Sequence, residues 1–211
     1  MTSIAIYCGS YTGSDPEYLR SARHVGTHLS RAGYEIVYGG GAVGLMGAVA
    51  DAALENGGRV IGVMPQALVD GEIGHHGLTE MHVVADMHER KSVMASLADA
   101  FLTLPGGSGT LEEISEQWTW AQLGFHRKPC AFLNVRGFYT PLREFIQRTV
   151  TEGFTRPEYA DMLIFEEDIQ PLLTRFNSYV APPKKWNPVA THKPDQRGAS
   201  RQSELPVAVE Q

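Results

Sequence analysis

The chain of 211 residues is predicted to fold as a single Rossmann-like α/β domain, with a mostly parallel sheet flanked by helices on both faces. Three observations predict this. Short apolar runs of strand length alternate with longer runs of helical periodicity along most of the chain. Its glycine-rich turns fall where a strand run gives way to a helix run. Hydrophobic residues make up 43% of the sequence, enough for a sizeable single core at this length.

The elements follow in order. Ile4–Cys8 reads as the first strand and Gly9–Ser14 as a polar loop. Asp15 and Pro16 open a helix as N-cap and first helical residue, since proline presets φ and lacks an N–H that a helix start leaves unpaired anyway. That helix runs to about Arg31 and stops at Gly33. Tyr34–Tyr38 is the second strand, and a triple glycine then leads into a helix from Leu45 to about Glu55. Arg59–Met64 is the third strand. Gln66–Gly77 reads as a short helix and a polar loop, and Glu80–Ala85 as the fourth strand. A helix covers Asp86 to about Asp99, ahead of the fifth strand, Ala100–Leu104. After a helix at Leu111–Leu123 come a strand at Pro129–Val135, a helix at Tyr139–Glu152 and a short helical piece at Thr155–Ala160. Met162–Phe165 and Ile169–Tyr179 are the last strand and helix. Residues 1–181 thus form the expected domain. Residues 182–211, rich in Pro, Lys, Gln and Ser, are expected to be a disordered tail.

Ligands of such sheets bind at the carboxyl ends of the strands. The loops after the first, second and fifth strands are the polar, glycine-rich ones. Gly9 and Ser10 in the first and Gly41 in the second are therefore candidate substrate contacts. The third carries the strongest signal. Gly106, Gly107, Ser108, Gly109 and Thr110 join a strand to a helix start, where backbone amides and the helix dipole make a socket for an anion, best a phosphate ester. Glu112 and Glu113 stand beside it. Thr110-x-x-Glu113 also has the spacing of a capping box, but a cap needs none of the three glycines.

Pro105-Gly106-Gly107-x-Gly109-Thr110-x-x-Glu113 resembles the PGGxGTxxE motif of the Lonely Guy family, the cytokinin-activating phosphoribohydrolases. Met87-His88-x-Arg90-Lys91 and Gly39-Gly40-Gly41-x-x-Gly44-Leu45-Met46-Gly47 resemble two further motifs of that family, in its order. The similarity runs from about Ile4 to about Val180. It implies a hydrolase that cuts the N-glycosidic bond of an adenosine 5′-monophosphate, N6-substituted or plain, without a cofactor. It further implies a catalytic Arg90, substrate contacts at Met87, Lys91 and Glu72, and a homodimer with the site near the subunit contact. Val93, Met94 and Leu97 are candidates for part of that contact.

In this chemistry, departure of the base leaves oxocarbenium-like charge on the ribose. A carboxylate, Glu113, would stabilise that charge and orient water, while Arg90 would stabilise the leaving purine. Glu113 is the candidate for this role over Glu112, which lies about 100° around the helix on the less favoured face. A non-catalytic nucleotide-binding protein on the same scaffold is the alternative, and it could dispense with both residues.

Other chemistries fit less well. Gly39-x-Gly41-x-x-Gly44 has dinucleotide spacing, but the next strand ends in Met64-Pro65-Gln66 without the acid that binds ribose hydroxyls. No GxxxxGK(S/T) motif occurs. A lysine decarboxylase, an older label for sequences of this kind, would need a lysine Schiff base with pyridoxal phosphate, and only Lys91 of the five lysines lies near the proposed site. His24, His28, His75, His76, His82 and His88 lack the HExxH pattern and read as surface residues, so no metal is expected. A net charge of −6 without a basic run argues against nucleic acid, and no stretch has the length of a membrane span. Cys8 and Cys130 lie in apolar runs and read as buried thiols, which with the absence of a signal-peptide pattern suits the cytoplasm.

Overall fold

The computed structural model describes residues 1–70 and 74–185. Among these, seven strands form one sheet: β1 (Ser3–Tyr7), β2 (Glu35–Tyr38), β3 (Val60–Pro65), β4 (Glu80–Val84), β5 (Ala100–Thr103), β6 (Cys130–Leu133) and β7 (Leu163–Glu166). Every neighbouring pair is parallel, and the order is β4-β3-β2-β1-β5-β6-β7. Parallel neighbours need crossovers. The helices are α1 (Pro16–Arg31), α2 (Gly44–Glu55), α3 (Gln66–Val69), α4 (Met87–Leu97), α5 (Ser108–Leu123), α6 (Thr140–Thr151), α7 (Pro157–Ala160) and α8 (Ile169–Asn177).

Because strand side chains alternate between faces, each strand feeds two cores. Ile4 and Ile6 of β1 join Val25 and Leu29 of α1, Val49 of α2 and Leu172 of α8. Ala5 and Tyr7 face the other way, toward Met94 of α4, Ile114 of α5 and Ile146 of α6. Met94 is fully buried there. Its side chain is used up within the chain, which corrects its expected place in a subunit contact.

The order of the strands locates the site. From β1 the chain moves outward through β2, β3 and β4, then returns to lay β5 on the other side of β1. The loops after β1 and β5 therefore diverge from adjacent strand ends, leaving the crevice in which such sheets bind ligands. Tyr7 is in register with Thr103, and the Gly9 N–H donates to the Pro105 carbonyl at 3.0 Å.

Most element boundaries match the sequence reading to within a residue or two. Two differ in ways that matter. Helix α5 begins at Ser108 rather than Leu111. The chain also stays against the domain beyond Ala181: the Lys185 N–H donates to the Gln122 carbonyl at 2.8 Å, and the Arg127 guanidinium donates to the Ala181 carbonyl at 3.3 Å. The Lys184 methylenes cross Gly124, where an added Cβ would come within 2.4 Å of them. The rest of the expected tail, residues 186–211, lies outside the described residues.

Candidate active site

Gly107 is the N-cap of α5, with extended backbone and no side chain closing the helix start. The first-turn amides of Ser108, Gly109 and Thr110 are thus the unpaired donors of a helix N-terminus, gathered where an anion fits. Thr110 is the third helical residue. It is not the cap, so the capping-box reading does not hold, and Glu113 sits nearly a turn further in. Gly106 allows the tight entrance: a Cβ there would lie 2.2 Å from Thr110 Oγ1 and 2.9 Å from the Gly9 nitrogen.

Arg90 arrives from α4. Asp86 starts that helix, accepting from the amides of His88 (2.8 Å) and Glu89 (2.9 Å), while the Glu89 carboxylate accepts from the Ala85 N–H at 2.7 Å. One turn later the Arg90 side chain passes beneath the end of β3, and its Nε donates to the Val63 carbonyl at 3.1 Å. Gly39 makes the space, since a Cβ there would sit 1.9 Å from Nη2. Nη1 then faces Glu113 Oε1 at 3.3 Å, with the two side chains only 11% and 10% exposed.

Burial lifts the Glu113 carboxyl to about 7; Arg90 pulls it down without cancelling the effect, and Glu112 adds a further push upward. A carboxyl titrating there can hold or release a proton near neutral pH, as general acid–base work requires.

The helix start and this pair open into one cavity of about 490 Å³. Of the expected site residues, Gly9, Ser10, Met87, Arg90, Glu113 and the whole run Gly106–Thr110 line it. Gly41 does not. It lies behind the wall, where its carbonyl accepts from Tyr38 Oη at 3.2 Å, and Gly39 lines the cavity from that loop. Lys91 is turned away too: its ammonium is bound by Glu112 and, at 3.2 Å, by Glu116. Glu72 lies outside the described residues.

Several lining residues had no motif to announce them. Tyr11 and Thr12 extend the β1 loop, and Tyr18 and Phe138 meet edge to face at 5.7 Å, whereas Leu45 and Met46, which open α2 and also line the cavity, belong to the Gly39–Gly47 motif. Phe138 follows a turn of 3₁₀ helix, Val135–Gly137, in which Arg136 adopts a left-handed backbone (φ 52°) and its guanidinium pairs with Asp15 at 2.9 Å. The next residue, Tyr139, donates from its hydroxyl to the Leu104 carbonyl at 2.7 Å, at the root of the glycine loop. The histidines are dispersed: His75 pairs with Asp51 and His82 with Glu80, each at 2.9 Å. Among the described residues no three His, Cys, Asp or Glu side chains gather as a metal site.

Fold and site together define a class: a Rossmann-like α/β protein with an open helix start, where an anion fits, beside a buried arginine–glutamate ion pair. The sequence comparisons are more particular. A family model described as "Possible lysine decarboxylase" matches residues 46–176. A protein of Rhodococcoides fascians, named cytokinin riboside 5′-monophosphate phosphoribohydrolase, is 45% identical over 177 residues, spanning 83% of this chain and 89% of that one. A protein of Arabidopsis thaliana with the same activity name is 41% identical over 202 residues, 96% of this chain and 95% of its own. The chain belongs to the cytokinin riboside 5′-monophosphate phosphoribohydrolase family. Its fold is shared with the molybdenum cofactor carrier protein of Chlamydomonas reinhardtii (TM-score 0.65, 18% identity, 84% of this chain and 99% of that one). It is shared as well with the molybdenum cofactor binding protein of Rippkaea orientalis (TM-score 0.64, 16% identity, 84% of this chain and 96% of that one). At such identities the likeness concerns architecture alone.

The decarboxylase description finds no support in Lys91. Burial disfavours its charge, but the hydrogen bonds to Glu112 and Glu116 outweigh that and hold its pKa above the usual lysine value. A lysine that forms a Schiff base needs the opposite.

Proposed function

We propose that this chain hydrolyses the N-glycosidic bond of an N6-substituted adenosine 5′-monophosphate, releasing the free base and ribose 5-phosphate. One observation carries the reading: the buried Arg90–Glu113 pair faces the same cavity as the uncapped start of α5. The 5′-phosphate binds the amides of Gly106–Thr110, which fixes the ribose relative to Glu113. Ionised Glu113 stabilises the oxocarbenium-like ribose and orients the attacking water, and the Arg90 guanidinium donates to the purine as it gathers negative charge. No step requires a metal or an organic cofactor. The names of the relatives support this substrate.

Unmodified AMP is the competing substrate, because the same anion socket and acid–base pair would serve it. Incubation with AMP and with N6-isopentenyl-AMP, followed by measurement of the released base, tests both readings. Faster release from the isopentenyl substrate is expected, a clear preference for AMP would make the chain a general nucleosidase, and release from neither would remove the proposed activity. A cytoplasmic homodimer completes the proposal. It is consistent with two free, buried thiols and with half-buried Val93 and Leu97 on α4.

A further inference from the structure

Tyr7 ends β1 with its ring in the core that also holds Met94 of α4 and Ile114 of α5. Met94 lies one turn beyond Arg90, and Ile114 directly follows Glu113, so this core underlies the ion pair. Two more polar side chains enter the same layer. Thr103 is in register with Tyr7 on the neighbouring strand and presents its hydroxyl on the same face. Gln117 comes from α5, one turn beyond Glu113 and three residues from Ile114, on the stripe that meets the sheet.

Tyr7 is only 1% exposed, and Thr103 and Gln117 are fully buried. Yet the two hydroxyls and both ends of the Gln117 carboxamide have no hydrogen-bond partner among the described residues. Buried polar groups are nearly always paired, with protein or with water. These atoms also supply what an internal water needs, two to four polar partners at once. The Tyr7 hydroxyl and Gln117 Nε2 can donate, while Thr103 Oγ1 and Gln117 Oε1 can accept.

We propose that Tyr7, Thr103 and Gln117 hold buried water behind the Arg90–Glu113 pair, and that this water lends the Glu113 carboxylate a hydrogen-bond donor on its inner side. The functional weight of the site rests on reading Arg90 and Glu113 as the catalytic pair. Charge around the site agrees. Burial first, then the nearby Glu113 charge, keeps the proton on Tyr7, so its hydroxyl stays a donor; Cys130 and Glu116 act in the same sense and Arg90 against it. Glu113 is itself pushed up mainly by burial, with Arg90 and Lys91 of α4 lowering it and Glu112 of its own helix raising it. Cys8 on β1, also kept protonated by burial, feels the Glu113 charge. Water on the buried side solvates the charged carboxylate and offsets part of the burial effect. Emptying the site should therefore move the Glu113 midpoint above about 7.

The test uses the intact protein. Thr103→Val keeps the side chain's shape and removes one polar partner. Water ¹⁷O relaxation dispersion, which counts long-lived internal waters, should find at least one fewer in this variant than in wild type. Calorimetry should show it melting about 2–4 °C lower, because the remaining polar atoms lose their bridge. A dry layer gives the opposite sign, since valine would then relieve an unbonded hydroxyl. An unchanged water count, or melting at or above wild type, overturns the proposal. Should Thr103→Val fail to fold, Tyr7→Phe carries the question by the same two measurements. In Tyr7→Phe the Glu113 carboxyl, followed by ¹³C NMR, should titrate about half a pH unit higher or more. A ring that merely fills the core would leave that titration unmoved, and an unmoved midpoint overturns the link to Glu113. Neither the water count nor the titration needs substrate. Absence of base release by wild type therefore sinks the functional reading alone, and an unchanged water count beside normal turnover sinks this site alone.

Discussion

At the scale of single residues, Glu113 is costly to keep. Its raised pKa means that its favourable contribution to folding is fully present below the usual glutamate range and is lost as pH rises through about 7. Holding it ionised at pH 8 opposes folding by on the order of 3 kcal/mol. Glu113→Gln should therefore melt higher than wild type at pH 8 and close to it near pH 4.5. Turnover should meanwhile fall about 10²–10³-fold, the usual loss on deleting one preorganised electrostatic group. Near-normal turnover in that variant would leave the mechanism without its carboxylate. The pH profile follows from the same group: kcat/KM of wild type should climb with a midpoint of about 7. Arg90→Ala should push that midpoint upward, because Arg90 favours the ionised form. A midpoint unmoved by Arg90→Ala would separate the limb from Glu113. Both residues were legible in the sequence as chemical types near a glycine loop. Their partnership was not, because the 3.3 Å contact joins two helices whose spacing only the packed sheet determines. Lys91 shows the other side of this, since its adjacency to Arg90 gave no sign that its ammonium would pair with Glu112 and Glu116 on the next helix.

Whole elements were read well where one local rule governs them, and less well where two compete. The inner strands stand out because they are buried on both faces, so their apolar runs are nearly continuous, whereas the edge strand β4 is mostly exposed or half-buried. The start of α5 was misplaced by three residues because Thr110 and Glu113 imitate a capping box. The true cap, Gly107, contributes no side chain for a pattern to find. The turn that delivers Phe138 and Tyr139 left even less trace, since its form depends on a left-handed Arg136 held by distant Asp15. Glycine 39 gives the sharpest element-level test. Gly39→Ala places a methyl where the Arg90 guanidinium lies, with a gap of 1.9 Å. The β2–α2 turn itself has no left-handed requirement at this position, so the fold should survive. Arg90 should be displaced, and turnover should drop to about that of Arg90→Ala, a loss on the order of 10²-fold. Circular dichroism and base release measured together check this, and an active Gly39→Ala enzyme would mean that Arg90 need not lie where it does.

For the whole molecule, composition announced a single α/β layer structure, but it misjudged where the packed chain ends. Residues after Ala181 carry few large apolar groups, which is why they read as tail. What holds Ala181–Lys185 is instead backbone hydrogen bonding to the end of α5 and the aliphatic stem of Lys184 over Gly124, a kind of burial that a hydrophobicity pattern does not register. Truncation can separate the two boundaries. Ending the chain after Lys185 keeps every one of these contacts and should leave the melting temperature unchanged. Ending it after Val180 removes the Lys185–Gln122 and Arg127–Ala181 hydrogen bonds, each worth about 1 kcal/mol net, together with the cover over Gly124. With about 2–4 °C expected per kcal/mol in a domain of this size, the shorter protein should melt several degrees lower by calorimetry. Turnover should change little in either protein, because the strap crosses the far end of α5 and the acid–base pair sits at its start. Equal melting temperatures for the two truncations would show that the strap adds nothing, and an equal loss in both relative to the full chain would place the stabilising contacts beyond Lys185.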